Sequence, residues 1–266
     1  ALRFTLLSMA SPGRDVKLSE DRVKGYRNFL NKLWNANNFL IMNKCAFKNT
    51  KKLPKLTINI NKWIYAELLE VKNTVEQNLK DYRFDEASRN VYQFVWHSYC
   101  DWYVELSKTI LNSKNQKDIK EVRIVSSYIF KQILILMHPF IPFITEEIWL
   151  KNKLDNSKKN FLMLANWPKG KSKKDKNFKE VKKMINIISE IRSFKNELNV
   201  KPGSFIDISV EKINNKSFFK ENDIILKRLG RINNFFTQDQ NKPGATLVIS
   251  GDLFRIYFDQ TVDLNL

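Results

Sequence analysis

Apolar residues recur along this chain at steps of three and four, the period of amphipathic helices. The clearest run is residues 20–46, where Tyr26, Phe29, Leu30, Leu33, Ala36 and Leu40 form one stripe. Ser19 suits the N-cap of this long helix, with Glu20 and Asp21 in its first turn. Before it, residues 2–11 read as a short helix ended by Pro12-Gly13, and the loop after that carries Arg14 and Lys17. A lysine-rich loop over 47–57 leads to a helix from Asn59 to Tyr82, with Trp63, Ile64, Leu68, Val71, Val75 and Leu79 on its inner face. The next helix opens at Asp85 and holds Tyr92, Phe94, Trp96, Tyr99, Trp102 and Tyr103, a density that suggests packing rather than base platforms. Another spans Gln116 to Met137. A turn at Pro139 and Pro142 then starts a short helix with Thr145 as N-cap, and the FLML stretch before Asn166-Trp167-Pro168 reads as an extended strand.

The best domain boundary follows residue 168, and the texture changes after Pro202-Gly203. Residues 169–183 form a basic run that reads as a linker. A helix from Phe178 to Leu198 buries Val181, Met184, Ile185, Ile188, Ile191 and Phe194. Beyond Pro202-Gly203, SFIDISVE alternates like a strand, 217–229 read as a helix, and ATLVIS and LFRIYF read as two further strands. The expected fold is therefore mainly α: a helical bundle over 1–168, joined by short connections, then a linker helix and small α+β subdomain over 169–266.

Charge adds a partner. The 266 residues carry 46 Lys and Arg against 28 Asp and Glu, a net charge of +18. Such a field attracts polyanions, nucleic acid first and anionic membrane second. The apolar run from Ile133 to Phe143 is too short to span a bilayer, and no signal-peptide pattern opens the chain. Cys45 and Cys100 lie far apart and form no ligand cluster with His97 and His138, so neither a disulfide framework nor a zinc site is expected.

Enzymatic motifs are missing. No GxxxxGK[ST], GxGxxG or HExxH occurs; GKSKKD lacks the spacing of a phosphate loop, and the adjacent Glu146 and Glu147 point apart on a helix. The remaining chemistry lies on the long helix, beside its apolar stripe. Asn28, Asn31, Lys32, Asn35 and Phe39 share a second face. An amide forms paired hydrogen bonds to an adenine edge, a lysine binds phosphate or carbonyl oxygen, and a ring stacks on an unpaired base. A solvated polar face is the alternative.

The opening ALRFTLLSMASPGRDVKLSEDRVKGYRNFLNKLWNANNFLIMN resembles the segment that follows the KMSKS loop in valyl-tRNA synthetases. The resemblance runs on through FDEASRNVYQFVWHSYCDWYVELSK, MHPFIPFITEEIW, ISEIRSFKNELNVKPG and KRLGRI, covering essentially the whole chain. Isoleucyl- and leucyl-tRNA synthetases share the helical anticodon domain, and GYRNFLNKLWNA and CDWYVEL point to the valyl branch.

The resemblance implies a monomeric, cytoplasmic ligase joining valine to tRNA(Val) with ATP and Mg²⁺. This chain would be its anticodon-binding part, without catalytic residues or cofactor of its own. It also implies catalytic and editing domains upstream of Ala1 and a coiled-coil arm after Leu266. Carried over by motif, Phe39 is the ring that stacks on the anticodon. Asn31, Lys32 and Asn35 are its polar readers, and Lys17, Arg27 and Asn28 are further contacts to bases or backbone. The chain departs from some members at Asn38, where they have arginine before the stacking ring.

Overall fold

The structure, a computed structural model, describes residues 1–11, 13, 15–45, 53–152, 161–170, 176–201, 203–212, 216–236, 238, 240, 244–249 and 251–257. Arg14, loop residues 46–52 and residues 171–175 of the basic run, which make up most of GKSKKD, lie outside the described residues. The chain divides into two compact units, Ala1–Asn177 and Phe178–Leu266.

The first unit is helical. Its elements are α1 (Leu2–Met9), α2 (Glu20–Met42), α3 (Asn59–Lys80), α4 (Phe84–Gln93), a π-helical segment (Phe94–Tyr103), α5 (Val104–Leu111), α6 (Gln116–Met137) and α7 (Pro142–Lys151). The apolar stripe of α2 packs as its spacing predicts, with Phe29, Leu33, Ala36 and Leu40 buried. Ser19 caps the helix by accepting from the Arg22 amide at 3.4 Å.

Aromatic rings hold α1 against this stripe. Phe4 is fully buried, 5.6 Å from Phe29 and 4.9 Å from Tyr26 between ring centroids. Leu2 and Leu6 on the same short helix are exposed and Leu7 is half-buried, so its fully buried side chains are Phe4 and Thr5. Ser11 Oγ donates to Asp85 Oδ2 at 2.8 Å, and Arg83 donates to the same carboxylate. Those hydrogen bonds, Arg83's first, lower the Asp85 carboxyl to about 2 and tie the end of α1 to the start of α4.

Glu121 does similar work deeper in the bundle. From α6 it accepts from the Thr57 and Ile58 amides, each at 3.1 Å, and from Asn61 Nδ2 at 2.9 Å. A carboxylate thus sits at the N-terminus of α3, where unpaired amides favour negative charge. Asn61 in turn accepts from the Tyr103 hydroxyl at 2.8 Å, which joins the π segment to the same network.

Three local expectations change. The helix over 84–111 is not uniformly α: ten residues from Phe94 to Tyr103 are π-helical, a form rare enough to concentrate at functional sites. Thr145 is not the N-cap of α7. Ile141 takes that position because Pro142 lacks an amide to satisfy and fits the first helical turn. Thr145 is buried one turn inside, bonded to His138 Nδ1 and the Ile141 carbonyl. The FLML stretch contains a 3₁₀ turn at Leu162–Leu164, tied by the Leu162 amide to the Glu146 carboxylate, in place of the extended strand.

The second unit holds α8 (Lys176–Glu197, beginning two residues before it), β1 (Ile206–Lys212), α9 (Lys216–Gly230), β2 (Ile232–Phe236), β3 (Gly244–Ile249) and β4 (Asp252–Tyr257). The sheet order is β2-β1-β4-β3. β1 and β2 are parallel and joined through α9; the other pairs are antiparallel. The fold is mainly α with a small α+β part.

Candidate nucleic-acid interface

The polar stripe of α2 lies on the surface. Asn28, Asn31 and Asn35 are exposed or half-buried, Arg27 beside them likewise borders solvent, and Lys32 and Phe39 keep part of their side chains accessible. The three amides follow one another at steps of three and four, so they form a single row. Among the described residues none of them has a side-chain partner, leaving each with free donors and an acceptor. Asn38 lies next to the row on the same helix.

Asn37 has a different role. It is fully buried and accepts from Asn152 Nδ2 at 2.6 Å, which pins α2 to the end of α7. The asparagine richness of α2 thus divides into an outward row and one packing residue.

A second helix borders the row. Lys32 Nζ lies 2.5 Å from Asp101 Oδ1 and 3.8 Å from the centroid of Trp96. His97 Nδ1 reaches the other oxygen of Asp101 at 3.3 Å. Further along, in α5, Lys108 Nζ stands 5.7 Å from the Phe39 ring and pairs with Glu105. Lys32 and Phe39 are separated by the same stretch of sequence as Asp101 and Lys108. The two helices therefore run parallel here and form a seam with charges of both signs. Lys32, expected as a polar reader, is held by a carboxylate and a ring.

Lys17 lies before the cap of α2, outside its helical face; no described contact joins it to the row. Sequence reasoning missed Trp96, Asp101, Glu105 and Lys108 as neighbours of the row. A signal existed in the matched spacings, but only the pairing of the two helices makes it readable. Phe39 presents part of its ring and shares the rest with the fold. Its carbonyl accepts from Asn43 Nδ2 at 2.8 Å, so the end of α2 holds the ring's backbone in place.

The described residues contain no group of three or more His, Cys, Asp or Glu placed to hold a metal ion. No described helix is long and apolar enough to cross a membrane. Both cysteines are buried, and burial raises each thiol to about 12. The arrangement is suited to binding: a row of amides for hydrogen bonds, a ring for stacking and flanking cations for phosphates.

The family model described as "Anticodon-binding domain of tRNA ligase" matches residues 61–210. The matched segment starts within α3, so α2 lies just before it. The chain is 70% identical to a valine–tRNA ligase of Pelagibacter ubique over its whole length, which is 31% of that protein. It is 38% identical to the valine–tRNA ligase of Zymomonas mobilis, again over the whole chain and 30% of the relative. Against that of Brucella suis it is 34% identical over 95% of the chain and 28% of the relative. The chain thus spans about a third of the length of these relatives. With more than half its residues inside the matched segment, and a helical bundle that presents a row of unpaired amides, the chain belongs to the anticodon-binding domains of tRNA ligases.

Proposed function

We propose that this chain reads the anticodon of tRNA(Val) for a valine–tRNA ligase. The observation that carries the reading is the row Asn28, Asn31 and Asn35, unpaired on α2 beside the half-buried ring of Phe39. Phe39 stacks on an unpaired anticodon base, and Asn31 and Asn35 bond to base edges. Lys17, Arg27 and Asn28 contact backbone or bases, and Lys32 serves once it shares itself between Asp101 and the RNA. Cations supply salt-dependent affinity, whereas amides and ring discriminate among sequences.

The parent protein, in this reading, works as a cytoplasmic monomer and attaches valine using ATP and Mg²⁺. That chemistry belongs to residues outside this chain. The similarity of the whole of this chain to about a third of valine–tRNA ligases supports valine over other amino acids.

The test is binding to a tRNA(Val) anticodon stem-loop at about 150 mM salt, where nonspecific phosphate contacts are weakened. The comparison is the same hairpin with its middle A and last C replaced. A clear preference for the first supports anticodon reading. Equal binding that collapses with added salt would reduce the chain to a basic RNA-binding module.

A further inference from the structure

His97 ends a chain of side chains that support one another. Trp96 stacks on Tyr92 with ring centroids 5.7 Å apart and lies 6.1 Å from the buried ring of Phe29. Lys32 Nζ sits over Trp96 and pairs with Asp101 Oδ1. Asp101 Oδ2 then meets His97 Nδ1 at 3.3 Å. Each member is held by the one beneath it, from the core outward. The last is on the surface, with 55% of the His97 side chain exposed.

The contact with Asp101 decides what His97 offers. An ionised carboxylate only accepts hydrogen bonds, so the single proton of a neutral imidazole sits on Nδ1. Nε2 is left with its lone pair, and among the described residues it has no partner. The other members of the chain cannot play this part. Lys32 only donates. Asp101 accepts, but its negative charge is repelled by phosphates. A neutral imidazole accepts without that charge.

The backbone singles out the same place. Trp96, His97 and Asp101 all lie in the π-helical segment Phe94–Tyr103. Such segments are rare and recur at functional sites. Lys32 belongs to the polar row of α2, so this segment borders that row.

Unpaired bases are read by hydrogen bonds to their edges. Adenine and cytosine each present an exocyclic amine there, which needs an acceptor. We propose that His97, oriented by Asp101, is a further base reader whose Nε2 accepts from the amine of one anticodon base, the middle A or the last C. Asp101 is then a positioning residue. The proposal rests on the anticodon reading of α2 and adds a reader from the second helix of the seam.

The test combines amine deletions in the RNA with substitutions at His97. One hairpin carries purine in place of the middle adenine, and another carries pyrimidinone in place of the last cytosine; each lacks one amine. Affinity is read by fluorescence anisotropy. With the unaltered chain, one of the two deletions should weaken binding about 3- to 10-fold, the size of one hydrogen bond. His97→Phe keeps a ring but has no acceptor. It should bind the intact hairpin more weakly by that factor and be indifferent to that deletion, which isolates the coupling. His97→Lys keeps a donor for Asp101 and adds charge. It too should ignore the deletion, even where it binds every hairpin more tightly. Both variants should unfold at the Tm of the unaltered chain, since so exposed a pair contributes little to stability.

No loss on either deletion in the unaltered chain, or the same loss in the chain and both variants, would overturn the proposal and leave the anticodon reading standing. So would an equal loss for all hairpins in His97→Phe with a smaller salt slope, which marks a phosphate contact. An unaltered chain that does not distinguish the intact hairpin from the one with both bases replaced would remove the anticodon reading, and the role of His97 with it.

Discussion

Asp101→Asn should tighten RNA binding. Lys32 is held by Asp101 at 2.5 Å and by the Trp96 ring at 3.8 Å, with side chains 27% and 40% exposed for the lysine and aspartate. Ion pairs this open to solvent are worth about 0.2–1 kcal/mol, and an exposed cation–π contact about 0.5–1 kcal/mol. The amide substitution keeps the shape and the ring contact but removes the ion pair. It also removes a negative charge from the surface proposed to face RNA phosphates. Releasing Lys32 by about 0.2–1 kcal/mol corresponds to roughly 1.5- to 5-fold tighter binding. Fluorescence anisotropy with a labelled anticodon hairpin measures this directly. The replaced-base hairpin should tighten as well, because the gain comes from charge. In a Lys32→Ala background the same substitution should do much less, which isolates the coupling. Weaker binding by Asp101→Asn would refute the reasoning. Asp101 would then be holding Lys32 in the posture the RNA needs.

Other substitutions separate the remaining roles. Phe39→Ala should weaken hairpin binding by about 1–3 kcal/mol, the loss of one base–aromatic stack; unchanged affinity, with helix content intact by circular dichroism, would exclude the ring as a platform. Asn35→Ala should narrow the gap between the two hairpins and Lys17→Ala should weaken both alike, so equal losses for both variants would argue against that division. Glu121→Gln should destabilise the protein by about 1–3 kcal/mol in urea unfolding, since several donors converge on a charged acceptor. Burial alone would raise this carboxyl, but bonds from Asn61, Thr57 and two amides outweigh it and lower the value from 4.5. Its contribution is therefore complete above the unfolded value and is lost as pH falls through the lowered folded value; the same acid sensitivity after Glu121→Gln would count against it. Cys45 and Cys100, raised to about 12, should resist iodoacetamide at pH near 8 until urea unfolds the chain, and rapid labelling of the folded protein would contradict their burial.

Local rules made much of this molecule readable. The period of Phe29, Leu33, Ala36 and Leu40 placed the buried face of α2, and Ser19 marked its start, because spacing and cap chemistry act within a few residues. Gln116 to Met137 was legible for the same reason, with Asn115 accepting from the amides of Lys117 and Asp118 at the helix start. The row Asn28, Asn31 and Asn35 could likewise be read as one face. Strand β2 could not, since INNFF has weak alternation and is held by parallel pairing to β1 across the intervening α9. The ten-residue π segment also escaped, because its sequence is a good helix pattern and hydrogen-bond register leaves no mark in hydrophobic spacing. The sequence by itself determined the helices, the outward amides of α2 and the excess of positive charge. Only the tertiary structure decided that Lys32 meets Asp101 and Trp96 and that Phe39 meets Lys108. Lys32 and Asp101 stand 69 positions apart in the chain, and the other pairs are also remote in sequence. Their geometry follows from how elements pack, which no local pattern encodes.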